Sequence, residues 1–296
     1  MRGGTPDRVP FLEEGLRSGV IKAWQEQGMA RDVSLAYLFP FDRRVEIAPE
    51  LLAKKWPDST AELDGFRRDL DPADPGRLPD DWPEIVLSSP GSGDTILLRV
   101  HRGLYQTLGV ANWRRFAEVN LLLKDDPELV KAMLTIQAEF AAGLAERILS
   151  EVRIDAAIFS EPISDINGPL ISPRMFDDLI NYSYEPLLDV LRRHGVQTII
   201  FRTYANSRIL LPFVLEKGFN ALWSCETTVE AMNYADIRRE FGRDLRLIAG
   251  IDVDALRQDK ETIRRELYQK LPPLLEQGGF IPLANGRVRA VVPYDN

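Results

Sequence analysis

The sequence predicts an α/β fold, a single-domain (β/α)8 TIM barrel, and three observations carry that expectation. The 296 residues are 45% hydrophobic and 28% charged, enough apolar material for one large core and a natural length for one barrel. In the second half, short apolar runs alternate with helical periodicities, the rhythm of parallel strands covered on both faces. No glycine-rich phosphate loop follows an early strand, as a doubly wound nucleotide-binding sheet usually carries.

Taken in order, residues 9–13 (VPFLE) read as the first strand and end at Glu13-Glu14. The second strand falls at 34–39 or at 84–88. Residues 40–83 form an acidic, proline-punctuated insertion, either a surface elaboration or a lid, with Ser59 placed to cap a helix over 60–70. Residues 95–101 (TILLRVH) and 154–160 (IDAAIFS) are the next strands. Apolar residues at helical spacing over 175–193 end in Arg192, Arg193 and His194 before Gly195, a cationic last turn and a glycine stop. Strands at 197–201, 219–224, 245–251 and 280–283 then alternate with helices at 209–217, 229–241 and 260–277. A stable helix needs roughly ten residues or more, so the short stretch after Leu283 predicts a short or missing eighth helix. An apolar groove between the first and seventh helices would follow.

Composition narrows the function. The lone Cys225 excludes internal disulfides and any multi-cysteine zinc site. With 37 basic and 45 acidic residues the net charge is -8, which argues against broad nucleic-acid binding. No apolar run is long enough to span a bilayer, and no signal-peptide pattern opens the chain. A cytoplasmic location is expected.

Barrel chemistry sits at the C-terminal ends of the strands, so position selects the candidates. They are Glu13, Glu14, His101, Arg102, Glu161, Arg202, Tyr204, Asn206, Cys225, Glu226, Asp252, Asp254, Asn285 and Arg287. Carboxylates mixed with arginines suit a ligand bearing carboxylate or phosphate groups, which Arg grips bidentately. An acid with a raised pKa could also move protons. The alternative for most of them is helix capping or mutual ion pairing. His194 reads as a partner of its helix dipole, and Cys225 as a buried structural thiol. A zinc site from Cys225, His101 and Glu226 is stereochemically conceivable, but no metal is assigned. Ser160 lacks the turn of a nucleophile elbow.

The run Gly168-Pro169-Leu170-Ile171-Ser172-Pro173-Arg174-Met175-Phe176, after Phe159-Ser160-Glu161, resembles the uroporphyrinogen decarboxylase superfamily. There a strand ends in an acid and a Ser-Pro-x-x-Phe segment opens the next helix. Pro6-Asp7-Arg8-Val9-Pro10 and the segment Gly250-Ile251-Asp252-Val253-Asp254-Ala255-Leu256 are similar to the family's strand entry and its Gly-Asn-x-Asp-x-x-x-Leu segment. Gly278-Gly279-Phe280-Ile281-Pro282 and Val292-Pro293-Tyr294-Asp295-Asn296 resemble its last strand and final helix entry.

The resemblance implies a barrel with a deep mouth, in a family that decarboxylates uroporphyrinogen III or moves methyl groups among corrinoid, thiol and methyl-donor partners. The departures select within it. Phe11-Leu12-Glu13-Glu14-Gly15-Leu16-Arg17 stands where the decarboxylases carry Arg-Gln-Ala-Gly-Arg. Phe201-Arg202-Thr203-Tyr204-Ala205-Asn206 and Leu283-Ala284-Asn285-Gly286-Arg287 stand where the zinc methyltransferases carry His-x-Cys and a further Cys.

The expectation is therefore a corrinoid- or methyl-donor-linked methyltransferase without a zinc-thiolate site. Glu161, Asp252 and Arg202 are its catalytic candidates, Glu161 as general acid or orienter. Ser172, Asn206, Arg287, Tyr204, His101, Glu13 and Glu226 are the substrate-binding candidates. Uroporphyrinogen decarboxylase-type activity is the second reading, and a non-catalytic barrel binding a tetrapyrrole or a protein the third. The implied partners are a small-molecule or tetrapyrrole ligand, a corrinoid carried by a partner protein, and a homodimer mate; nucleic acid and membrane are not among them.

Overall fold

Seven parallel strands, hydrogen-bonded in chain order, make the sheet: β1 (Arg44–Ile47), β2 (Thr95–His101), β3 (Ala156–Glu161), β4 (Ile199–Tyr204), β5 (Ala221–Cys225), β6 (Arg246–Ile251) and β7 (Phe280–Ala284). The computed structural model describes residues 8–227 and 230–296. The expected strand-entry residues Pro6 and Asp7, and the expected helix start at Val229, lie outside them.

Helices α1 (Ser18–Glu26) and α2 (Leu35–Leu38) precede β1, and α3 (Leu63–Asp69) and α4 (Trp82–Ser88) lie between β1 and β2. Three helices follow β2: α5 (Leu104–Thr107), α6 (Trp113–Asp125) and α7 (Pro127–Glu151). After that one helix follows each of β3 to β6: α8 (Pro173–Arg193), α9 (Leu211–Glu216), α10 (Tyr234–Phe241) and α11 (Lys260–Gln277).

The strands are legible because both of their faces are covered. All of β5 is buried, as is all of β3 except Ser160. On the outer face Phe159 and Phe201 meet Tyr184, Phe176 and Phe219 in an aromatic cluster between sheet and α8. Side chains alternate along a strand, so Ser160 and Arg202 face the other way, into the concave interior. Two contacts show that the sheet curls. Arg44 of β1 lies 5.5 Å from the ring of Trp223 on β5, although four strand spacings in a flat sheet would part them by ~19 Å. Glu46 of β1 likewise approaches Arg202 of β4 at 3.9 Å.

Several expectations are corrected. Residues 9–13 form no strand, and of the two alternatives for the second strand, 34–39 holds the helix α2 and 84–88 lies within α4. The first strand lies instead inside the supposed insertion 40–83, at Arg44–Ile47, so the sheet has seven strands among the described residues and not eight. The helix expected over 60–70 is a 3-10 turn (Thr60–Glu62) leading into α3, and Ser59 occupies its N-cap without a side-chain cap bond.

The edges β1 and β7 are bridged by non-sheet chain. Asp42 beside β1 takes the Phe11 backbone N–H at 2.7 Å and donates its own to the Phe11 carbonyl at 2.8 Å. Residues 285–296 carry no helix. They pack on α1 and the turn after it, where Val20, Trp24 and Met29 bury against Val288 and Val292. Trp24 donates its indole N–H to the Val292 carbonyl at 2.8 Å, and Gln27 accepts from the Tyr294 N–H.

Candidate functional site

The concave face carries a network of charges near the C-terminal ends of the strands. Arg202, on β4 between outward Phe201 and Thr203, donates to the Glu14 carboxylate at 3.0 Å. Its guanidinium lies 4.5 Å over the Trp223 ring, a cation–π contact that holds the planar group against β5. Arg99 of β2 pairs with Glu46. From the opposite rim Arg287 reaches Glu14 at 3.8 Å, and the Cys225 thiol lies 3.7 Å from the same carboxylate. Glu14 thus sits among β4, β5 and the turn after β7, brought there by the irregular segment that crosses between the two sheet edges.

Burial and neighbours set the protonation states. Burial disfavours the charge of Arg202, which is 8% exposed, but Cys225, Glu14, Tyr204 and Glu46 outweigh it and raise its pKa. The Glu46 carboxyl is also opposed by burial, yet Arg99 and the other arginines hold it below the usual range. Glu13 is raised, chiefly by burial and also by the charge of Glu14. Burial and then Glu14 push the Cys225 thiol up to about 12, which keeps it protonated and poorly nucleophilic. The Tyr204 phenol is raised by burial against the pull of Arg202.

Arg202, Tyr204, Arg287 and Glu13 are therefore gathered at one mouth. Asn206 is half-buried at its rim, where its backbone N–H bonds the Asp165 carbonyl and so ties the loop after β4 to the loop after β3.

Glu161 and His101 are not at that mouth. Glu161 is completely buried on the outer side of β3, accepting from the Leu104 backbone N–H at 2.8 Å and the Tyr184 hydroxyl at 2.7 Å. A register shift between Arg99 and His101 explains His101. Without it the two would share a face. The irregularity turns His101 outward, as bulges re-aim side chains, and its ring packs on Phe159 and Tyr184. Its Nε2 lies 2.8 Å from the Ser183 hydroxyl, and its Nδ1 accepts from the Gly103 N–H at 3.0 Å. The expectation of a mouth imidazole and a mouth general acid is thus corrected to a sealed polar cluster under α8.

The remaining candidates also lie apart. Ser172 is the N-cap of α8, accepting from the Met175 N–H at 3.2 Å. Glu226 is exposed and paired with Arg289 at 2.7 Å. Asp252 accepts from the Asp254 N–H at 2.9 Å and borders a cavity of about 130 Å³ shared with Tyr234, Lys270 and Asn285. A larger cleft of about 1120 Å³, lined by Arg153, Asp155, His194 and Arg246, opens at the N-terminal ends of the strands. Barrel chemistry is not sited at that end. No group of three or more His, Cys, Asp or Glu side chains is gathered among the described residues as a metal ion would need, and no described helix is long and apolar enough to cross a membrane.

Arg44, Glu46, Arg99 and Trp223 are concave-face residues that strand-end positions do not select. The signal for two of them is in the sequence: RVEI, residues 44–47, alternates charged and apolar side chains at strand period.

No family model matches the chain, and no curated protein matches it. Among solved structures it is similar to a methyltransferase from Methanosarcina mazei, with a TM-score of 0.59 and 14% identity, over 99% of this chain and 92% of that one. At that identity the likeness shows the fold, and it supports reading the curled parallel sheet as a barrel-like α/β architecture along nearly the whole chain.

Proposed function

We propose that the chain is a methyl-transferring enzyme of the uroporphyrinogen decarboxylase-like kind, acting on a small anionic molecule at the concave mouth with a corrinoid borne by a partner protein. The observation that carries this reading is Arg202 with Arg287 around one carboxylate, on a fold shared end to end with a methyltransferase. The mouth's rim suits a large apolar partner: Ile166 and Leu170 after β3, Met175 opening α8 and Ile209 after β4 are all exposed. The two loops that present them are joined, Asn206 to Asp165 and Ser207 to Ser164 at 2.8 Å.

When bound, a corrinoid supplies a methyl group held on cobalt. The chain's own residues hold and orient the small molecule: Arg202 and Arg287 grip its anionic group, Tyr204 and Asn206 stand beside it, and Glu14 is the resident counter-charge. Glu161, sealed under α8, positions the end of β3 and the start of α5 through Leu104 and Tyr184. Ser172 caps α8, and Asp252 shapes the turn after β6.

The test supplies methyl-labelled methylcobalamin with a panel of small acids bearing thiol, amine or hydroxyl groups. Label should pass into an acid, and Arg202→Met should stop it. Unlabelled acids throughout the panel, beside an active control methyltransferase, overturn the reading.

A further inference from the structure

Deeper on the concave face than the mouth, four buried N–H-bearing atoms have no hydrogen-bond partner among the described residues: Nη1 of Arg44, Nε of Arg99, Nε of Arg202 and Nε1 of Trp223. Buried donors are nearly always satisfied, so four in one place ask for an acceptor. They do lie in one place. The Trp223 ring is flanked by Arg44 at 5.5 Å and Arg202 at 4.5 Å, and the Glu46 carboxylate lies against both Arg99 and Arg202. Trp223 is 1% exposed and Arg202 8%, so both are more than nine-tenths buried.

Charge counts the same way. Arg44, Arg99, Arg202 and Arg287 are four cations against three carboxylates, Glu13, Glu14 and Glu46, of which Glu14 and Glu46 pair with them within 4 Å. Arg44 makes no ion pair of that length among the described residues. A half-buried site with surplus guanidinium and unmet N–H groups is complementary to an oxyanion, which Arg binds through paired donors.

We infer that Arg44, Arg99, Arg202 and Trp223 form a seat for the carboxylate of a small organic acid. This deepens the methyl-transfer reading by naming the class of molecule, and it rests on that reading only for the choice of barrel face. Of the four residues, Arg202 is shared with the mouth; Arg44, Arg99 and Trp223 are new.

Calorimetry on the full chain, without any methyl donor, tests it with succinate, uncharged succinamide and inorganic phosphate as probes. Saturable binding of succinate, absent for succinamide, is expected. Arg44→Gln and Arg99→Gln should each weaken it at least about tenfold, the worth of a lost charge-assisted hydrogen bond. Arg44→Lys keeps the charge and loses the fork, so its affinity should fall between wild type and Arg44→Gln. Succinate should also raise the melting temperature of the wild type and not of Arg44→Gln. Equal binding of succinamide, tighter binding of phosphate than of succinate, no saturable binding, or unchanged affinity in the Arg44 and Arg99 variants overturns the seat. Since no methyl group is present, succinate binding with failed methyl transfer sinks only the methyl-transfer reading, and the reverse sinks only the seat.

Discussion

His101 and Glu161 sit 3.9 Å apart in a cluster closed to solvent, and their burial works on them in opposite directions. Burial is the largest influence on Glu161, outweighing the bonds from Tyr184 and Leu104, and raises it to about 7. Burial likewise dominates His101 and lowers it to about 4, against a backbone bond to Ser160. A raised acid holds its proton longer in the fold than in the unfolded chain. Its share of stability is therefore full below about 4.5 and lost as pH rises through 7. A depressed imidazole does the reverse: its share is full above about 6.5 and lost as pH falls toward 4. Between about pH 4.5 and 6.5 the two slopes cancel. Denaturant unfolding across that window should expose each slope when the other group is removed. Glu161→Gln should gain stability with rising pH, and His101→Gln should lose it, each by roughly 3 kcal/mol. Parallel profiles for the two variants would remove the pair from any part in pH dependence.

At the scale of elements, Ser172 separates two roles that a sequence motif cannot. Its hydroxyl accepts from the Met175 N–H, an N-cap worth about 1 kcal/mol. Ser172→Ala should lower stability by that amount while methyl transfer and succinate binding stay unchanged. Lost binding at unchanged stability would instead put Ser172 in the site. The same contrast explains what could be read in advance. Strands β3 to β7 were legible because apolar side chains point both ways along them. β1 was hidden because Arg44 and Glu46 face the barrel interior, and an alternating charged strand reads like a solvated surface segment. The strand-end candidates on β4 lie at the concave mouth, because alternation there is regular. They failed on β2, where one register shift reverses the face of His101, and such a shift leaves no mark on composition or spacing. Glu161 ends its strand as expected, yet it alternates with Ser160 onto the outer face. Trp223 is a core residue, and what the sequence could not show is that arginines from β1 and β4 close over its ring.

The whole molecule depends on a closure that the sheet does not make. Between β7 and β1 the contacts come from the irregular segment around Phe11–Glu14, from α1, and from the turns after β7. Their small core is separate from the main one, with Trp24 at its centre. Glu14, the counter-charge of the mouth, hangs on this unit, so closure and site are one mechanical problem. Trp24→Ala removes a buried indole and its bond to the Val292 carbonyl, a loss of about 3–5 kcal/mol for a well-packed aromatic. Because that core is small and peripheral, the cost should fall on local opening before global unfolding. Hydrogen exchange should then accelerate in α1 and in residues 288–294, while amides of β3 and β4, covered by the aromatic side chains of α8, keep their protection. As the unit loosens, Glu14 spends less time on Arg202, so an added carboxylate meets less competition and succinate should bind more tightly. Uniform acceleration across all strands would show instead that this clasp is integral to the main core, and weaker succinate binding would show that Glu14 supports the seat instead of competing for it.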